Sequence, residues 1–200
     1  MRRLQITLWI LAGIAAIAGL VLALNPPAPG SKAPPRRGLP IASIGGPFTL
    51  TGSDGQPFAS SRLNGQPAAI FFGFTHCPDV CPTTLARLAK LRRQLGKGND
   101  GFAIVFITVD PERDKPADVG KYAALFDTPV IGLTGSPAEI ERVKQQFGVY
   151  SERAPQAGGD YSVNHTVSVF LLGGDGRFVA TIAPEESDQA ALDKLKRIAG

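Results

Sequence analysis

The longest apolar stretch of the chain lies at its start: from Leu4 to Leu24 no residue is charged, and Arg2 and Arg3 stand in front of it. At about 1.5 Å per helical residue such a run spans roughly 30 Å, the thickness of a bilayer's hydrocarbon core. Residues 1–24 are therefore read as a single-pass membrane anchor, with the arginines holding the N-terminus in the cytoplasm and the remainder on the far side. A cleaved signal peptide is the competing reading, with Ala23 as a small residue near a cleavage point, but the run exceeds the usual ~7 to 15 residues. No cysteine lies nearby, which excludes a cysteine-linked lipid anchor. Residues 25–40, "NPPAPGSKAPPRRGLP", have no apolar period and read as an extended tether.

From residue 41 onward the pattern is that of one packed α/β domain. "PFTLTGSDGQPF" reads as a hairpin around Asp54-Gly55, a pair that tolerates the positive φ of a tight turn. "AAIFFGF" and "FAIVFITVD" are nearly continuous apolar runs, as in strands buried on both faces. Between them, Leu85, Leu88, Leu91 and Leu95 recur at spacings of three and four, with Arg87, Lys90, Arg92 and Arg93 on the opposite side. This predicts an amphipathic helix ending at Gly96. "PADVGKYAALF" and "SPAEIERVKQQFG" are further helices, the second capped by Ser136 with Pro137 at its first position, and "PVIGLTG" is the strand between them. "TVSVFLLGGDGRFVATI" predicts a hairpin around Gly173 to Gly176, followed by a helix over "SDQAALDKLKRIAG". The order hairpin, strand, helix, strand, helix, strand, helix, hairpin, helix predicts a mixed sheet flanked by helices.

Charge adds little. Of the 21 basic residues, Arg2, Arg3, Lys32, Arg36 and Arg37 belong to anchor and tether, leaving 16 against 17 acidic residues. A near-neutral domain without a basic stripe offers nothing to nucleic acid.

Chemistry concentrates in "THCPDVCP", which holds Cys77 and Cys81, the only two cysteines of the chain. A domain of about 160 residues folds without a disulfide, so a staple closing so short a loop would add little. Pro82 suits a helix start, which places both cysteines in one strand-to-helix turn, where outward amide N–H groups favour thiolate. Two thiolates are too few for a closed zinc site but match Cu(I), which accepts two sulfurs and an imidazole. Spacing alone leaves a redox pair open as well. Of the two histidines, His76 adjoins Cys77 and ligates the same ion awkwardly, because consecutive residues at a strand end point to opposite sides. His165 precedes a strand and is placed to face the cysteine turn from an end of the sheet. A peroxidase is disfavoured, since no arginine and threonine-rich approach accompanies a single attacking cysteine.

The segments "GFTHCPDVCPTTL", "ITVDPERDKPADVGKY" and "VNHTVSVFLLGGDGRF", in that order, resemble the Sco/SenC family. That resemblance implies a membrane-anchored copper chaperone of thioredoxin-like fold that serves cytochrome c oxidase assembly. Carried over residue by residue, it implies that Cys77, Cys81 and His165 bind one copper ion, Cu(I) or Cu(II), for delivery to the oxidase subunit with the dinuclear copper centre. The alternative it implies is a thiol-disulfide oxidoreductase using Cys77 and Cys81 on that subunit's cysteines. An upstream copper donor or thiol reductant would supply the chain. The soluble domain is expected in the periplasm, held to the inner membrane, rather than in a mitochondrial intermembrane space. Where the family usually has an aspartate before the histidine, this chain has Asn164, which removes one possible charge partner near the metal. The loop from Asp110 to Asp114 also matches; it reads either as a solvated Asp-Pro turn or as a partner-docking loop.

Overall fold

Two segments that are apolar but for a terminal threonine, Ala68–Gly73 and Ala103–Thr108, form the parallel centre of the sheet and are buried throughout. The computed structural model describes residues 44–156 and 158–200, which fall within one unit spanning Leu39–Gly200. The anchor and tether read from residues 1–24 and 25–40 lie outside the described residues. Among the described residues no helix is long and apolar enough to cross a membrane.

In chain order the strands and α-helices are β1 (Thr49–Gly52), β2 (Pro57–Ala59), β3 (Ala68–Gly73), α1 (Val80–Leu95), β4 (Ala103–Thr108), α2 (Pro116–Ala123), β5 (Val130–Thr134) and α3 (Pro137–Phe147). They continue with β6 (Ser151–Pro155), β7 (Tyr161–His165), β8 (Val169–Leu172), β9 (Phe178–Ile182) and α4 (Asp188–Ala199). Seven strands make one mixed sheet in the order β2-β1-β5-β4-β3-β8-β9. β3, β4 and β5 run parallel, while β1 and β8 join them antiparallel. The hairpins around Asp54-Gly55 and Gly173 to Gly176 form as expected. Ser136 and Glu139 make the reciprocal cap of α3, with Pro137 in its first turn.

Alternation along the central strands divides the core into two layers. On one face Phe147 of α3 meets Phe72 and Phe170, at 5.4 and 5.5 Å between ring centres. On the other, Phe106 packs on Tyr122 of α2 at 5.1 Å, and α1 lies against β3 at Gly73.

Three local expectations need correction. Helix α1 begins at Val80 with Asp79 as its cap residue, two positions before Pro82. Proline is tolerated there because the first turn's N–H groups have no partner within the helix in any case. Arg92, assigned to the polar side of α1, is 3% exposed. Its guanidinium closes the end of the helix layer by donating to the carbonyls of Phe102 and Pro129, at 3.3 and 2.8 Å. Last, β6 and β7 form a separate two-stranded sheet that the apolar pattern did not predict.

Candidate metal centre

The cysteine turn is the connection from β3 to α1. After Gly73 the chain passes Phe74 and turns at Thr75 and His76, where the Cys77 amide donates to the Phe74 carbonyl at 3.2 Å. Cys77 is half-buried and Cys81 fully buried, and both carry free thiols. The Cys81 amide, in the first turn of α1, donates to Cys77 Sγ at 3.4 Å. The helix start therefore serves the sulfur of Cys77. For Cys81 burial works against the thiolate: it pushes the thiol well above the ordinary range, and the neighbouring Cys77 and Asp114 add to the rise against a backbone hydrogen bond from Phe74.

Gly73 makes this burial possible. A Cβ there would lie 2.8 Å from Cys81 Sγ and 2.9 Å from the Phe106 ring. Gly73→Ala is expected to destabilise the domain by about 1 to 3 kcal/mol through overpacking, read by denaturant unfolding, with altered thiol accessibility at Cys81. Wild-type stability in that variant would mean that the contact yields without consequence.

His165 arrives from the other side, as the last residue of β7. Its ring stands edge-on to Phe71 and Phe74, at 6.1 and 5.9 Å between ring centres. Nδ1 lies 2.9 Å from the Thr166 carbonyl, which can only accept, so Nδ1 carries the proton. Nε2 is left with its lone pair, 3.6 Å from Cys81 Sγ, and the thiol donates to it. Burial lowers the histidine's pKa, opposed by the Thr166 hydrogen bond, so the ring is held neutral. Sequence neighbours alternate sides in a strand: Asn164 is exposed, cross-strand from Glu152, and does not share the inward direction of His165. Cys81 and His165 are thus brought into contact across 84 residues. Among the described residues, no three His, Cys, Asp or Glu side chains as they stand enclose a point where an ion would sit.

The loop after β4 supports both halves of this arrangement, a role the sequence did not reveal. Asp114 is fully buried. Its Oδ2 accepts from the Thr75 amide at 2.9 Å and from the Thr108 hydroxyl at 2.6 Å, and its Oδ1 accepts from the Thr75 hydroxyl at 2.6 Å. It ties the turn that precedes Cys77 to the end of β4. Asp110, 2% exposed, accepts from the Tyr161 hydroxyl at 2.9 Å and from Arg113 Nε. Arg113 stacks 3.7 Å from the centre of the Tyr161 ring and donates to the Tyr161 carbonyl at 2.9 Å. Tyr161 opens the strand that His165 ends, so this cluster fixes the hairpin carrying the imidazole. Neither aspartate is the solvated turn residue that was one of the two expectations for this loop.

The SCO1/SenC family matches residues 37–200. The chain belongs to the SCO1/SenC family. Among relatives of this SCO1/SenC protein, the mitochondrial protein SCO1 homolog 1 of Arabidopsis thaliana is 41% identical over 140 residues, covering 69% of this chain and 42% of the relative. The chain spans about half the length of the curated relatives it first matches. The structure of Bradyrhizobium japonicum ScoI with copper bound is 44% identical, with a TM-score of 0.70 over 78% of this chain and 99% of that one. The structure of yeast Sco1 with copper bound is 34% identical, with a TM-score of 0.71 over 78% of this chain and 87% of that one. The SCO1/SenC fold seen here is thus the thioredoxin-like mixed α/β fold that the sequence resemblance implied.

Proposed function

We propose that this SCO1/SenC protein is a copper chaperone, in which Cys77, Cys81 and His165 hold one copper ion and pass it to the dinuclear copper centre of cytochrome c oxidase. The observation that carries the reading is the His165 lone pair at 3.6 Å from Cys81 Sγ, with the other ring nitrogen already tied to Thr166. A metal-ligating histidine needs that tautomer and that outer-shell hydrogen bond. Two sulfurs with a neutral imidazole suit a soft ion, and copper suits them better than a cation that prefers oxygen. The copper-bound relatives support the same choice. Residues 1–24 anchor the chain in the inner membrane and residues 25–40 tether the domain on the periplasmic side, where it reaches a membrane-embedded recipient.

A second reading is favoured by the cysteine turn itself: two free thiols lie in one short loop, with a helix amide 3.4 Å from the outer sulfur. In this reading Cys77 attacks the recipient's disulfide and Cys81 resolves the mixed disulfide. Two electrons and two protons pass to the recipient as Cys77 and Cys81 join. The two roles succeed each other naturally, because the recipient's cysteines must be reduced before they accept copper.

One experiment separates them. The full chain in detergent, loaded with copper, is mixed with the copper-free, reduced copper-accepting domain of the oxidase. The expected result is formation of the recipient's dinuclear-centre absorption, and none from Cys77→Ser or Cys81→Ser. Failure of the wild-type chain to transfer, combined with reduction of the oxidised recipient by the copper-free chain, would leave only the oxidoreductase reading.

A further inference from the structure

A groove of about 270 Å³ opens beside the cysteine turn. One wall is a stripe of α1 at helical spacing, Val80, Thr84, Leu88 and Leu91. The other is formed by Val167 and Val169, at the start of β8, and by Ile182, the last residue of β9. Both walls begin at residues joined to the proposed ligands. Val80 directly precedes Cys81, whose amide lies 3.4 Å from Cys77 Sγ. Val167 follows Thr166, whose carbonyl lies 2.9 Å from His165 Nδ1. The groove therefore starts where the two ligand-bearing segments meet and runs away from them along the helix.

Its lining has little to offer a charged guest. Arg87, the charged residue of the lining, is already engaged by Asp188 Oδ1 at 2.9 Å and by the carbonyls of Ala183 and Glu186. The Thr83 hydroxyl turns back to the carbonyls of Asp79 and Val80, at 2.9 and 3.0 Å. What remains is apolar: Leu88 and Leu91 are buried, and Val80, at the end nearest the cysteines, is 39% exposed. A concave apolar surface with its polar groups already satisfied selects an apolar side chain.

We propose that this groove docks the copper recipient, by taking up an apolar side chain carried on the recipient's own cysteine-bearing loop. The inference rests on the reading of the chain as a copper chaperone. Continuity of the groove with the metal centre decides the occupant. A guest without a copper ligand, seated between Val80 and Val167, would cover the site and block exchange. The recipient's loop brings its sulfurs toward Cys77, the half-buried sulfur, by the same contact. The volume suits one large side chain or two small ones and is too small for a docked helix. Such an anchor holds the two proteins together without binding the ion, so it sets how much recipient is needed and not how tightly copper is held.

The test uses the full chain in detergent with one equivalent of Cu(I). Transfer is followed by stopped flow to two takers, the reduced, copper-free copper-accepting domain of the oxidase and a small chromophoric Cu(I) chelator. Thr84→Trp fills the groove and Val167→Asp places a charge in its wall; neither residue is a proposed ligand. In both variants the recipient concentration for half-maximal transfer should rise about tenfold, equivalent to about 1.4 kcal/mol. The rate at saturating recipient and the rate to the chelator should keep their wild-type values. Unchanged half-saturation in both variants would overturn the proposal. Equal slowing toward recipient and chelator would overturn it as well, by placing the effect in the metal centre. A second measurement does not depend on either variant: with photo-reactive p-benzoylphenylalanine in place of Thr84, illumination should cross-link the chain to the recipient's cysteine-bearing loop, identified by mass spectrometry. Capture of a second copy of this chain, or of detergent alone, would overturn the proposal. If the copper-loaded wild type transferred nothing to the recipient, the chaperone reading would fail and the proposal with it, whereas normal wild-type transfer with indifferent variants sinks only the groove.

Discussion

Replacing His165 with alanine is expected to lower copper affinity by more than the roughly 10- to 100-fold that loss of an outer-shell partner costs, because a ligand itself is removed. The ring contributes one directional lone pair at 3.6 Å from the Cys81 sulfur, and its tautomer is fixed by Thr166 rather than chosen on binding. That preorganisation is what alanine forfeits. The variant should remain folded, since His165 ends a strand and touches Phe71 and Phe74 only through the ring edge. Affinity is read by competition with a Cu(I) chelator, and far-ultraviolet circular dichroism checks the fold. Cys81→Ala should have an effect at least as large, with the difference that it also empties a fully buried position beneath β3. Unchanged copper affinity in either variant would remove that residue from the site.

Asp114→Ala is expected to be the most destabilising polar substitution in the domain. It would strip acceptors from the Thr75 amide and from the hydroxyls of Thr75 and Thr108, all at 2.6 to 2.9 Å from the carboxylate. Hydrogen bonds to a charged group are worth about 1.5 to 3 kcal/mol, and buried donors left unpaired cost more, so a loss of about 3 kcal/mol is expected. For a domain of this size that corresponds to a fall in Tm of roughly 6 to 12 °C. Unfolding must be followed on copper-free protein, because metal that binds only the folded state would mask part of the loss. The folded fraction should also bind copper more weakly, since the turn leading to Cys77 loses its tie to β4. A stability within about 0.5 kcal/mol of wild type, the range of an ordinary surface substitution, would contradict the role assigned to this carboxylate.

The parts of this molecule that sequence reading captured are those governed by local apolar pattern. β3 and β4 are nearly continuous apolar runs, α1 carries its leucines at helical spacing, and Ser136-Pro137 with Glu139 spells out a cap; each element forms as expected, α1 starting two residues earlier. The β6 and β7 hairpin was missed because "SERAP" and "YSVNH" have no continuous apolar face. It is held instead by backbone pairing and by the stacking of Arg113 and Arg153 on Tyr161, 3.7 and 4.7 Å from the ring centre. A contact between residues 48 positions apart leaves no periodic trace in sequence.

The same distinction runs through the site. The cysteine turn could be located from Pro82 and from the end of β3, but the burial that sets the two sulfurs apart could not. Cys81 is buried where α1 packs against Gly73 of β3, a close approach between separate elements. Asp110 and Asp114 read as turn residues because a charge in a Pro-containing loop is ordinarily solvated. What buries them is the convergence of Thr75, Thr108, Arg113 and Tyr161, four partners whose positions only the fold supplies. A usable hint lay in the spacing of "VDPERD" directly after a buried, mostly apolar strand, since a loop at the carboxyl end of a central strand is where sheets of this type build sites.

The most direct test of the copper-site assignment is X-ray absorption at the copper edge on the full chain carrying one equivalent of Cu(I). The predicted spectrum has two sulfur neighbours and one imidazole nitrogen, and it drops to one sulfur in both Cys77→Ala and Cys81→Ala. A wild-type spectrum with no imidazole, or with sulfur coordination that survives loss of either cysteine, would contradict the assignment of Cys77, Cys81 and His165.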